Sequence, residues 1–148
     1  MSPSLRRVLR WSCSVLRLLI WVVALGYLLL EAREVAVQRQ LTQITVFAVL
    51  FLVASFQLSL ARFLITGPEA PEATITMQSA VAMFAASLFS VLDGAFDHLF
   101  AALPGGAAGL AVPLLYLLGW TVNLLCVVLA LASIELFFAM LRRLIARF

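Results

Sequence analysis

Lysine is absent from this chain of 148 residues, histidine occurs once, cysteine twice, and acidic residues number seven. Each scarcity excludes something. A single histidine, His98, rules out bis-histidine haem ligation within one chain. Cys13 and Cys126 lie far apart and outside any C-x-x-C pattern, so the sequence offers neither a disulfide framework nor a thiol-based zinc motif. Both read as small buried hydrophobes. No G-x-S-x-G, H-E-x-x-H or Walker A pattern occurs, and no hydroxyl has a base beside it in sequence. The expectation is a non-enzymatic protein with no cofactor and no metal. All ten basic residues are arginine, which we read as the mark of a GC-rich genome rather than of chemistry. The net charge of +3 does not point to nucleic acid. The arginines gather at the two ends beside apolar segments, where anionic lipid headgroups are the natural counterions.

What the chain has in abundance is apolar surface: 65% of its residues are hydrophobic. The mean hydropathy is +1.14. Four apolar runs, approximately 11–30, 44–66, 74–92 and 110–140, are each long enough for a hydrocarbon core of ~30 Å, which takes roughly 20 helical residues. In lipid every backbone amide must bond within its own segment, so such runs must be helices. The fold class predicted is an all-α integral membrane protein. It is a single domain, 1–148, forming a four-transmembrane-helix bundle with short amphipathic interfacial segments.

Arginine placement predicts the orientation. With the N-terminus in the cytoplasm, Arg6, Arg7, Arg10, Arg17, Arg62, Arg142, Arg143 and Arg147 fall on or toward that side, and only Arg33 and Arg39 fall outside. This positive-inside bias predicts four crossings with both termini cytoplasmic, in a bacterial inner membrane or alternatively a mitochondrial one. The Arg- and Ser-rich start, with no acid before Glu31, resembles a presequence, and Ala24-Leu25-Gly26 has the form of a signal cleavage site; an uncleaved first helix is the expectation.

The connections differ in kind. Glu31 to Gln43 holds no Gly or Pro, which extends helical potential past the first run. Gly67-Pro68-Glu69-Ala70-Pro71-Glu72 reads as a loop, with Thr74 or Thr76 capping the third helix. Phe96, Leu99, Phe100 and Leu103 follow helical spacing, so 93–103 is either an interfacial helix or an extension of the third helix. Apolar residues interleave with Arg6, Arg7 and Arg10 at one end and with Arg142, Arg143 and Arg147 at the other. Both ends are expected to lie on the cytoplasmic membrane surface, with these six arginines on lipid headgroups.

Charges inside apolar runs carry the most information, because each costs about 2.5–3.5 kcal/mol at a bilayer centre on insertion scales. Arg17, Arg62 and Glu135 are the three. Arg17 lies seven residues from Arg10, and Glu135 seven from Arg142, each roughly 10 Å from a basic anchor. Glu135 is therefore expected to pair with Arg17 or Arg62, as a register lock, an ion-coupling site or a contact to another subunit, the plainer alternative being that the arginines snorkel to the headgroups. In the third helix Gln78, Ala82, Ala86, Ser90 and Gly94 recur every four residues, a candidate seam for helix packing or a partner. Gln57 and Asn123 also need hydrogen bonds within apolar runs. Asp93, Asp97 and His98 are a poor metal set, read as a solvated cap. The functional expectation is an accessory or assembly subunit of a larger membrane complex, its partners being membrane lipids and other subunits or copies of itself. The alternative is a homo-oligomeric small transporter or channel using the Arg/Glu cluster.

Overall fold

The computed structural model describes residues 3–31, 39–65, 70–102 and 111–147. They form four helices: α1 (Pro3–Glu31), α2 (Arg39–Ile65), α3 (Ala70–Ala101) and α4 (Ala111–Arg147). Each is long and apolar enough to cross a membrane. With 29, 27, 32 and 37 residues, they extend beyond the four apolar runs at every end but the close of α2 and the start of α4.

Those extensions revise several sequence-based expectations. α3 starts at Ala70, not near Thr74, so Pro71 and Glu72 belong to its first turn. Proline is tolerated there because the first-turn amides have no intrahelical partner to lose. Pro3 and Pro113 occupy the same kind of position in α1 and α4. Thr76 is not a cap: its hydroxyl donates to the Glu72 carbonyl one turn back, at 2.8 Å. The segment beginning at Asp93 is no separate interfacial helix, since α3 runs unbroken to Ala101. The basic ends likewise continue α1 and α4 without interruption. Propensity explains this: Leu, Ala and Arg favour helix, and nothing at these junctions stops one. Residues 32–38 and 66–69, which hold most of the first two expected connections, and residues 103–110 lie outside the described residues.

α2 packs on α3, α3 on α4, and α1 on α4. Ser79 meets Ser133 and Cys126 meets Ala86, so α3 and α4 run antiparallel. The cluster of Leu64, Ala73 and Met140 sets the end of α2 against the start of α3 and the end of α4. Seven residues separate α1 from α2. At about 3.5 Å per residue they cannot return along a helix of roughly 43 Å, so α1 opposes α2 and therefore α4.

The buried positions explain the packing. On α2 they are Ala54, Gln57, Ala61 and Leu64, a 3-4-3 spacing. On α3 they include Glu72, Ser79, Ala86 and Asp93, with Thr76, Met83 and Ser90 between them. On α4 they include Cys126, Ser133 and Met140. All three sets repeat at seven residues, the period that keeps a stripe facing a neighbour in left-handed packing. A four-residue stripe instead rotates about 40° per step around the helix. This is why the expected seam disperses: Ala86 and Ser90 are buried, Ala82 and Gly94 half-buried, and Gln78 exposed.

Candidate functional site: the two sides of α4

Ser133 and Glu135 are neighbours but one in sequence, which sets them roughly 200° apart around α4. Ser133 faces α3 and α2. Glu135 faces α1.

On the α3 side two serines clasp each other. The Ser79 hydroxyl donates to the Ser133 carbonyl and the Ser133 hydroxyl to the Ser79 carbonyl, both at 2.7 Å, with the two Oγ atoms 3.0 Å apart. The Gln57 amide oxygen lies 3.3 Å from Ser133 Oγ, adding α2 to the node. Ser133 has one proton to give, and its shorter bond goes to the Ser79 carbonyl. All three side chains are fully or almost fully buried. One heptad away, Cys126 Sγ donates to the Ala86 carbonyl at 3.2 Å. Bonds from a short side chain to the opposite backbone require close helix approach, and only small residues permit that.

On the α1 side, Arg17 Nε lies 2.6 Å from Glu135 Oε1 and the Trp21 indole N–H donates to the same oxygen at 2.8 Å. This pair is partly open: the side chains of Arg17 and Glu135 are 42% and 28% exposed. Arg17 is thus the arginine brought to Glu135. Arg62 is exposed on α2 and, among the described residues, forms no ion pair. Trp21 thus supplies a second donor to the acid.

A second ion pair falls where a loop was expected. Glu72, 1% exposed in the first turn of α3, meets Arg147 at the end of α4 with Nη2–Oε1 at 2.8 Å. Its other oxygen, Oε2, is buried without a hydrogen-bond partner among the described residues. The negative charge sits at a helix N-terminus, where the backbone dipole favours it. Leu64, Ala73 and Met140 form the apolar cluster beside it.

The remaining arginines divide as follows. Arg7, Arg10, Arg142 and Arg143 are exposed, and Arg142 Nε makes a long bond of 3.4 Å to the Phe138 carbonyl. The Arg6 side chain lies outside the described residues. Arg147, expected on headgroups, is engaged by Glu72. Asp93, expected in a solvated cap, is buried, whereas His98 is exposed. Asn123 is buried, as is Cys126, while Cys13 is only half-buried. Among the described residues no group of three His, Cys, Asp or Glu side chains converges to hold a metal.

Sequence reasoning missed the Ser79–Ser133 clasp and the Glu72–Arg147 pair. The seven-residue spacing of small residues on α3 and α4 was the signal for the first. For the second, the signal was an acid placed one residue after a proline that starts a helix. No family model, no curated protein and no solved structure matches the chain.

Proposed function

We propose that the chain is an integral membrane protein of four spans, with both termini cytoplasmic, that serves as a non-enzymatic accessory or assembly subunit of a larger membrane complex. The observation that carries this reading is the unequal engagement of α1. Its apolar segment Arg7–Gly26 contributes no buried residue, and among the described residues that segment is tied to α4 by one ion pair and one indole hydrogen bond. A helix held along one edge leaves its other faces to neighbouring transmembrane helices, which associate by surface packing and polar contacts rather than by hydrophobic exclusion. The α2–α3–α4 unit, by contrast, spends its small and polar residues on itself. The arginine distribution supports the orientation, and a bacterial inner membrane is the setting we favour.

The experiment is the native mass of the tagged protein extracted from its source membrane in a mild detergent. Co-migration with different proteins at fixed stoichiometry is the expected result. A homogeneous species containing only this chain would sink the subunit reading. Flux assays in proteoliposomes with Glu135→Gln and Arg62→Gln variants would then test the transporter alternative.

A further inference from the structure

The Arg17–Glu135 contact fixes the register of the antiparallel pair α1 and α4. Arg10 lies seven residues before Arg17, and Arg142 seven residues after Glu135. Seven residues are nearly two turns, about 10.5 Å of rise, and bring a side chain back to within roughly 20° of its starting direction. Arg10 and Arg142 therefore arrive at one level of the same seam, both on its cytoplasmic side in the orientation proposed above. Both are exposed, and among the described residues neither forms an ion pair. Glu135 is ion-paired with Arg17 and Glu72 with Arg147, and Arg142 reaches Glu135 only through its longer-range Coulombic field. Two like charges thus share a level of the seam, and among the described residues no carboxylate is ion-paired to either.

We infer that Arg10 and Arg142 form a bidentate site for the phosphodiester of one anionic phospholipid, which bridges α1 and α4. The inference rests on the membrane reading of the preceding subsection. The chemistry is specific: guanidinium groups match phosphate oxygens in paired N–H···O geometry, and two of them around one phosphate turn mutual repulsion into shared attraction. The level is also right. With Arg17–Glu135 inside the apolar zone, a site about 10 Å toward the cytoplasmic ends meets the headgroup layer, where anionic lipids enrich on that leaflet. Arg143 points about 100° away from Arg142 around α4, and Arg62 stands on α2, so neither shares the seam.

The test is native mass spectrometry of the chain released from nanodiscs holding equal amounts of phosphatidylglycerol and phosphatidylcholine. The expected result is one phosphatidylglycerol retained per chain, with retention falling at least tenfold in Arg10→Gln and in Arg142→Gln. The double variant should lose no more than either single one. Arg143→Gln and Arg62→Gln each remove one positive charge elsewhere and should retain the lipid. Equal loss in those two variants, or equal retention of phosphatidylcholine, overturns the site. Displacement by millimolar inorganic phosphate would assign the pair to a free anion and overturn the lipid assignment. Flotation with liposomes separates the two layers of the argument. A chain that fails to float sinks the membrane reading itself, whereas a chain that floats without lipid preference sinks the seam site alone.

Discussion

The two sides of α4 hold their neighbours by opposite means. Toward α3 the contact is made by small residues at seven-residue spacing, sealed by reciprocal serine-to-carbonyl bonds and a thiol-to-carbonyl bond. Toward α1 it is made by long side chains: an arginine and an indole reaching one carboxylate oxygen. Short donors bind only when backbones are close, so the α3 contact tolerates little displacement. Long side chains span a gap and follow a moving partner. The same helix therefore carries a close interface on one side and a looser one on the other, and on this difference rests the proposal that α1 is the arm turned to other proteins or lipids.

The strongest way to break the comparison is Ser133→Leu. It removes the clasp and forces a large side chain into a fully buried contact, and overpacking alone costs about 1–3 kcal/mol. With the lost hydrogen bonds the expected destabilisation is roughly 3 kcal/mol. A lower midpoint in an SDS titration of the micellar protein, followed by circular dichroism, checks it. An unchanged midpoint would mean that α3 and α4 are not in close approach.

Next comes Arg147→Ala. It strands a buried carboxylate, for which breaking a buried pair costs about 3–5 kcal/mol; half-exposure of Arg147 brings the expectation down to about 2 kcal/mol. Glu72→Gln in the same background should restore most of the loss, because the uncompensated charge is then gone. The same SDS titration reads both variants, and failure of the rescue would show that Arg147 acts through its alkyl stem rather than through Glu72.

Glu135→Gln is expected to cost only about 1 kcal/mol, in line with measured polar contacts between membrane helices. Its larger effect should be on the position of α1, leaving α2–α3–α4 intact. Smallest is Cys126→Ala, which forfeits one weak thiol bond and should shift stability by about 0.5 kcal/mol. A loss of 2 kcal/mol or more in that titration would reveal a packing role beyond the hydrogen bond.

Much of this architecture was legible in the sequence, and the gaps have physical causes. Four helices followed from apolar length alone. The start of α3 did not, because Pro71 was read as part of a loop, while it sits in a first turn where proline does no harm. That single misjudgement placed Glu72 in a loop and concealed its pairing with Arg147. The Arg17–Glu135 contact was foreseeable from matching depths counted from Arg10 and Arg142, but depth could not choose between Arg17 and Arg62. Rotation around the helix makes that choice, and it depends on which face each helix buries. The stripe on α3 shows the same limit. Four-residue spacing marks small side chains that are close on one helix, but a neighbour of finite length reads the seven-residue repeat, and Gln78 consequently ends up exposed.

The most direct measurement is a pair of spin-label distance distributions in nanodiscs that share one label position. One pair joins Gln78 on α3 to Ala132 on α4, and the other joins Val22 on α1 to Ala132; all three positions are exposed. Both are recorded with and without Glu135→Gln. The account predicts a narrow α3–α4 distribution that the substitution leaves unchanged, and an α1–α4 distribution that broadens and lengthens. Two distributions that stay fixed together, or broaden together, would contradict the division of α4 into a fixed and a compliant side.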